Sequence, residues 1–303
     1  MTVGILGGGR WGQALARLVL AAGHQPLIAF RGTRRPPHIL PSTDKPPEVS
    51  AAAELLLVAT SAAQVRNAIQ LARPGPRHRV VVAGRGLEPD TARWLTDVVL
   101  EESRVLRVGA LAGPAPSDEI LNGGLGAGVV ASPFQEVREL ATRALHSQRY
   151  RLYDSDDLMG VQLAGAMTPV LATLLGVARG LQGSGVGMYA MVLARGLSEA
   201  GRLATALGAD PRTLSGLAGV GDLVAAHAVE GHPNYEAGVA ISKGLPGARE
   251  RGPAGVARAL VRIATAVNTD LPLTQALCDI YGGLHPLQAV EALMARPAHS
   301  ELD

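Results

Sequence analysis

One cysteine, Cys278, stands in a chain of 303 residues. An intrachain disulfide and a cysteine-ligated metal cluster are excluded by that count; a reducing cytoplasm is the compartment that fits. Aromatic residues make up 3% of the chain, too few for the stacking platforms on which single-stranded nucleic acids lie. The core must be built from Leu, Val, Ala and Ile instead. Lysine is nearly missing. Lys45 and Lys243 are the only two, so almost all of the 28 basic residues are arginine. Any chemistry that needs a lysine has two candidates. Set against 26 acidic residues, the net charge is +2, which makes no case for nucleic acid or a membrane surface as partner. There is no G-x-S-x-G elbow, no G-x-x-x-x-G-K-[ST] phosphate loop and no H-E-x-x-H pair, so hydrolase, kinase and metal chemistry are not indicated. No internal repeat or low-complexity tract is visible, and Met1 leads directly into a strand pattern rather than a signal peptide.

What is present is concentrated at the start. Val3, Ile5 and Leu6 form a short apolar run, Gly7 to Gly12 follow, and Ala14, Leu15, Leu18 and Val19 then recur at helical spacing. Strand, tight turn and helix flank a G-x-G-x-x-G match at Gly7, Gly9 and Gly12. In a dinucleotide site the first glycine allows the turn, the second lets a pyrophosphate approach the backbone, and the third lets helix pack on strand. The helix start then presents free N–H groups to the phosphates. The expected cofactor is NAD or NADP. The next strand, Pro26 to Phe30, ends in Arg31, Gly32, Thr33, Arg34 and Arg35 rather than in an acidic residue. Arginine pairs well with a 2′-phosphate, so Arg31 tips the expectation toward NADP.

Residues 36–50 are proline-rich and read as a loop. Leu55 to Val58 and Val80 to Ala83 are unbroken apolar runs, the mark of buried parallel strands, and Ser61 is placed as a helix N-cap. Val105 to Leu111 and Val129 to Ala131 supply further strands. Strands alternating with helices indicate a doubly wound α/β sheet of Rossmann type over residues 1–150. From 151 to 303 the chain becomes rich in Ala, Leu and Gly at helical spacing, which indicates an all-helical domain. Length alone suggests about two domains. Leu158 to Ala178 carries no charge and is long enough to span a membrane, but its glycines, Gln162, Thr168, Pro169 and Thr173 favour a buried helix over a span. Ala- and Gly-rich helices leave a homo-oligomer open.

Gly7-Gly8-Gly9-Arg10-Trp11-Gly12-Gln13-Ala14-Leu15-Ala16 resembles the opening of the NAD(P)-dependent glycerol-3-phosphate dehydrogenases. The likeness continues through Gly113-Pro114 with Glu119, Arg151-Leu152-Tyr153, Gly160 to Ala166, Arg195-Gly196-Leu197 with Glu199, and Gly216 to Leu223. It closes with Leu271-Pro272-Leu273 and Ala292 to Arg296. The resemblance implies reduction of dihydroxyacetone phosphate to sn-glycerol 3-phosphate with NADH or NADPH. It places cofactor contacts at Gly7, Gly9, Arg10, Trp11, Gly12, Ser61, Arg85 and Ser117. Substrate falls among Arg85, Gly113, Asp222, His232 and Asn234, with Arg85, Thr168 and Asp222 as the catalytic candidates.

Carried over residue by residue, the family's charged positions change. A lysine after a sheet strand falls on Arg85, which keeps the charge but stays protonated. The proton-transferring lysine falls on Thr168, a hydrogen-bond donor that is not an acid near neutrality. An arginine–asparagine pair falls on Pro233 and Asn234. The block Gly185 to Met191 is apolar where the family's is polar. His232 titrates near neutrality and is a candidate replacement acid; with His227, Asp222 and Glu230 it lacks metal-ligand spacing. Two alternatives stay open: a dinucleotide-binding homologue that has lost the reaction and acts as a sensor or partner subunit, and an enzyme for a less anionic substrate.

Overall fold

Unbroken apolar runs become the central strands of one eight-stranded sheet in the computed structural model, which describes residues 1–30, 40–228 and 231–296. The strands are β1 (Thr2–Leu6), β2 (Gln25–Ala29), β3 (Ser42–Thr43), β4 (Leu55–Val58), β5 (Arg79–Val82), β6 (Arg107–Ala112), β7 (Gly126–Ala131) and β8 (Tyr150–Ser155). Their order is β3-β2-β1-β4-β5-β6-β7-β8. The chain therefore reverses its direction of growth at β1, and the crevice at such a switch point is where open α/β sheets take their ligands.

Both faces of the sheet are covered at its centre, which is why β1, β4, β5 and β6 are apolar nearly throughout. The edge strand β8 instead alternates buried Tyr150 and Leu152 with exposed Arg151 and Tyr153. Leu55 and Leu57 pack with α1 (Arg10–Ala21), while Leu56 and Val58 pack on the opposite side with α2 (Pro46–Ala52) and α3 (Val65–Ala72). α4 (Leu95–Glu101) joins the second face and α6 (Gln135–Leu145), after the short α5 (Ser117–Leu121), the first.

Two expectations need correction. The proline-rich stretch at 36–50 is not all loop. Residues 31–39, including Arg31, lie outside the described residues, but β3 and α2 occupy its remainder. Pro46 and Pro47 are the first helical positions of α2, where a missing N–H costs nothing because that donor would be unpaired anyway. Thr43 Oγ1 donates to Glu48 at 2.7 Å and accepts from Lys45 N at 3.2 Å, fixing the entry. The sheet is also not wholly parallel: β7 runs antiparallel to β6, and β8 parallel to β7. The five-residue α5 spans only about 7 Å. That is too short to carry the chain back along a strand of about 20 Å, so β7 returns in the opposite sense. The expected division at residue 150 meets the first residue of β8, which stays paired in the sheet to Ser155.

The helices that follow are α7 (Leu158–Gly180), α8 (Val186–Ala206), α9 (Arg212–Ser215), α10 (Asp222–Ala228), α11 (Pro233–Ser242), α12 (Ala254–Ala266), α13 (Pro272–Tyr281) and α14 (Pro286–Met294). α7 is apolar on every side and buried along nearly its whole length, as a helix enclosed by others must be. It is the one helix among the described residues long and apolar enough to cross a membrane, and its apolar stretch is wholly buried inside the protein. Glycines allow the closest crossing. A Cβ on Gly238 would lie 2.0 Å from the Thr173 carbonyl oxygen, and one on Gly176 at 2.0 Å from that of Tyr235, so α11 packs backbone to backbone on α7.

Asp157 caps α7 by accepting from Gly160 N at 2.9 Å, and its other oxygen accepts from Thr213 Oγ1 at 2.6 Å and Asp210 N at 3.2 Å. Asp157→Ala removes the cap and the tie to α9, an expected loss of about 2 kcal/mol readable by urea denaturation. Glu199 of α8 is buried and holds the start of α13 through Leu273 N and through the Thr274 N–H and hydroxyl. Burial raises its pKa from 4.5 to about 7, partly opposed by those hydrogen bonds and by Arg202. The folded value lies above the unfolded one. Its stabilising contribution is therefore full below pH 4.5 and is lost as pH rises through about 7, a span of about 3 kcal/mol. Glu199→Gln should flatten the dependence of unfolding free energy on pH across that interval.

Candidate active site

Each glycine of the first turn meets a different surrounding. Gly7 has φ +126°, a backbone conformation that side chains rarely adopt, and a Cβ there would lie 2.6 Å from the Ala59 carbonyl oxygen. A Cβ on Gly12 would lie 1.8 Å from the Gly7 carbonyl oxygen, so only glycine lets α1 seat this close to the turn. Gly9 is the opposite case. It is the N-cap of α1, with φ −68° and ψ 179°, and a Cβ there would meet no atom within 4 Å. The room above Gly9 and the N–H groups at the start of α1, which has no acidic residue in its first turn, fit a pyrophosphate.

Beside this turn lies a cleft of about 230 Å³ between the end of β2 and α3, lined by Gly7 to Gly9, Ala29, Phe30, Pro46, Thr60, Gln64, Ala68 and Leu71. Its walls are largely apolar, as a base requires. Pro46, Gln64 and Leu71 were not among the residues expected from the sequence; Pro46 was hidden by the reading of its segment as loop. Ser61 does occupy an N-cap position, on the single 3₁₀ turn Ala62–Gln64, but its side chain makes no capping bond. Trp11 Nε1 donates to the Ala83 carbonyl oxygen at 2.8 Å, tying α1 to the end of β5. Arg10 forms an exposed ion pair with Asp118, one residue after Ser117 at the start of α5.

Past β5 the chain meets the helical half. Arg85 crosses α7 at Gly165, where a Cβ would lie 3.9 Å from the arginine Cγ. Its Nη2 reaches the Gly113 carbonyl oxygen at 3.4 Å and makes an ion pair with Asp222 Oδ1. Gly113 has φ +125°, and a Cβ would lie 2.9 Å from Gly128 Cα, so this loop is pressed against β7.

Asp222 is 1% exposed, and its Oδ2 has no hydrogen-bond partner among the described residues. Burial raises its pKa, while Arg85 and then Thr168 pull it down. Thr168 lies beside the carboxylate; its hydroxyl is placed to donate to the Ala164 carbonyl oxygen at 3.0 Å or, by rotating, to Asp222. Asp222 follows a π-helical turn, Leu217–Gly221, and begins α10. The carboxylate thus faces Arg85 rather than capping its own helix.

His232 stands at the N-cap of α11 without a capping bond. Its Nδ1 is buried and unpartnered, and burial together with Arg85 lowers its pKa to about 4. Asn234 lies in the first turn of the same helix, with no side-chain bond to Arg85, Thr168 or Asp222 among the described residues. The side chain of His227, like all of Glu230, lies outside them.

Comparison with known proteins covers the whole molecule. Residues 2–138 match the family described as NAD-dependent glycerol-3-phosphate dehydrogenase N-terminus, and residues 157–291 the corresponding C-terminus. The enzyme glycerol-3-phosphate dehydrogenase [NAD(P)+] of Bradyrhizobium diazoefficiens is 32% identical over 99% of this chain and 98% of its own. The chain belongs to the NAD-dependent glycerol-3-phosphate dehydrogenase family. Another member, from Symbiobacterium thermophilum, is 35% identical over 100% of this chain and 96% of its own. The crystal structure of glycerol-3-phosphate dehydrogenase from Coxiella burnetii superposes with a TM-score of 0.88 at 26% identity, covering 97% of this chain and 99% of that one.

Within this glycerol-3-phosphate dehydrogenase fold, one neighbour of the Arg85–Asp222 pair went unread in the sequence. Tyr150, the first residue of β8, is buried, and burial raises its pKa with smaller opposing effects from Arg85 and Asp222. Nothing in an edge-strand pattern marks such a tyrosine; only the folded path of β8 brings it there.

Proposed function

We propose that this chain is an NAD(P)-dependent reductase that converts dihydroxyacetone phosphate to sn-glycerol 3-phosphate in the cytoplasm, with NADPH preferred over NADH. The observation that carries the reading is the convergence of Arg85, Gly113, Thr168 and Asp222 at the carboxyl end of the sheet, beside a glycine turn with room for a pyrophosphate. Residues 1–150 hold the dinucleotide, and residues 151–303 complete the substrate pocket. Gly7, Gly9, Gly12 and the start of α1 hold the phosphates, while Arg10, Trp11, Ser61, Arg85 and Ser117 border the remainder of the cofactor. Arg31, beyond the described residues, would meet a 2′-phosphate. When bound, the nicotinamide supplies the hydride.

The chain's own residues do the remaining work. Arg85 holds the anionic group of the substrate and polarises it. Asp222 Oδ2, buried without a donor, accepts from a substrate hydroxyl, which removes the cost of leaving it unpaired. Thr168 closes the floor beside it, and Asn234 and His232 border the mouth. The test is oxidation of NADPH and of NADH by the purified protein with dihydroxyacetone phosphate, alongside a cofactor-binding titration and a control with dihydroxyacetone. Turnover on the phosphate ester, above that on dihydroxyacetone, is expected. Dinucleotide binding without turnover would overturn the reading in favour of a sensor, and preference for the uncharged ketone would overturn it in favour of a less anionic substrate.

A further inference from the structure

We infer that Arg66 is a positioning residue for the substrate site: through Glu88 it fixes the loop that carries Arg85. The inference rests on the reading of Arg85 as the group that holds the substrate's anion. Arg85 stands at the head of a closed loop, residues 86–94. Leu87 bridges Trp94 across it, and both are buried against the helical half. Within the loop Glu88 N donates to the Arg93 carbonyl oxygen at 3.0 Å, and Ala92 N to that of Glu88 at 2.9 Å. These bonds make the loop one piece, and a shift of Glu88 is passed to Arg85.

The loop is held from two sides. On the helical side Pro89 packs at Gly255 of α12, where a Cβ would lie 2.8 Å from the proline Cβ. Arg262 Nη2 of the same helix donates to the Pro89 carbonyl oxygen at 3.1 Å. Gly86, with φ +99°, faces Val256, whose Cγ2 would lie 3.2 Å from a Cβ there. On the sheet side the hold is ionic. Arg66 of α3 grips both oxygens of Glu88 as a fork, with Nε and Nη2 each donating at 2.8 Å. Thr91 Oγ1 also donates to Glu88, which is buried.

Arg66 serves two further carboxylates. Its Nη2 pairs with Glu101 at 3.0 Å and its Nη1 with Glu102. Three carboxylates thus converge on one guanidinium. Arg93 bonds Glu101 at 3.1 Å rather than Glu88. Arg66 holds the Glu88 carboxyl below the usual carboxylate range, against the effect of burial. Without the arginine, Glu88 would face Glu101 and Glu102 as like charges, and a buried carboxylate left without its cation turns toward water. That movement draws the loop with it and shifts Arg85 from Asp222. Among the described residues neither Arg66 nor Glu88 bonds to Arg85 or Asp222, so the effect passes through the loop alone.

The test is Arg66→Met in the full-length protein, with NADPH and either dihydroxyacetone phosphate or dihydroxyacetone. A displacement of Arg85 by about 1 Å is expected to lower kcat/KM for the phosphate ester about 100-fold, mostly through KM. Turnover of uncharged dihydroxyacetone and affinity for NADPH should be little changed. Arg66→Lys keeps a cation among the three carboxylates and should recover most of the loss. In the Arg85→Ala background Arg66→Met should cost nothing further, because the residue it positions is gone. Glu88→Gln, a milder change, should show a smaller loss of the same kind, and decides the matter if Arg66→Met does not fold. A folded Arg66→Met enzyme with wild-type kcat/KM for the phosphate ester overturns the inference while the reading of the site stands. An equal loss on dihydroxyacetone, or a further loss in the Arg85→Ala background, does the same. A wild-type protein with no preference for the phosphate ester overturns the reading of the site, and the inference with it.

Discussion

Arg85→Ala is expected to lower kcat/KM with dihydroxyacetone phosphate about 1,000-fold and to cost about 3 kcal/mol of stability. Both effects have one origin. Arg85 is the ion-pair partner of Asp222 and also reaches the Gly113 carbonyl oxygen. Asp222 is 1% exposed, and truncating the partner of a buried charge leaves that charge uncompensated, at about 3 to 5 kcal/mol. The arginine side chain is 42% exposed, so water entering the gap brings the loss to the lower end. The unpaired carboxyl responds by holding a proton. The stability deficit of Arg85→Ala should accordingly be smaller at pH 5 than at pH 8, a sign set by the neutral acid needing no cation. With Arg85 in its proposed role, the catalytic loss adds removal of the cation that would hold the substrate anion, worth about 2 to 5 kcal/mol in buried pairs. Arg85→Lys should recover part of the stability and little of the activity, because a point charge cannot reproduce the planar fork. Thermal unfolding at the two pH values and steady-state kinetics check both halves.

The glycine turn offers a second large effect, and one that separates folding from binding. Gly12→Ala puts a methyl group 1.8 Å from the Gly7 carbonyl oxygen. Backbone against backbone cannot give way cheaply, and the expected cost is about 3 kcal/mol with loss of dinucleotide binding as α1 is pushed off the sheet. Gly9→Ala should behave differently. Its φ and ψ suit any residue, and the added methyl meets no atom within 4 Å, so stability should stay within about 0.5 kcal/mol of wild type. That methyl would nevertheless stand where the pyrophosphate approaches, and affinity for NADPH should fall at least tenfold. Calorimetric titration beside a urea melt reads both variants. If Gly9→Ala bound NADPH as tightly as wild type, the cofactor would have to dock elsewhere.

These two sites differ in how far they could be read from the amino-acid order. The glycine turn is local. Strand, turn and helix are contiguous, each glycine has a steric reason, and the apolar runs at Leu55 to Val58 and Val80 to Ala83 report their own burial. The helical half was legible for the same reason, since α7 is apolar on all sides. What failed was local signal of opposite meaning. Proline marked 36–50 as loop, yet Pro46 and Pro47 open α2, because proline breaks helices only past their first turn. The reversal of β7 depends on how short α5 is, which no periodicity reports. Arg85 and Asp222 stand 137 positions apart, and Arg10 and Asp118 stand 108 apart. No spacing rule connects such pairs; only the family resemblance pointed to Arg85 and Asp222 as one site, and it did not mark Asp118 or Tyr150.

The most direct test of the account is the fate of the hydride. Purified protein should be given dihydroxyacetone phosphate and NADPH carrying deuterium on both sides of the nicotinamide C4, and the product examined by mass spectrometry and NMR. The expected product is sn-glycerol 3-phosphate with one deuterium on carbon 2, formed in step with cofactor oxidation. NADPH bound at the glycine turn while no deuterated glycerol phosphate forms would contradict it.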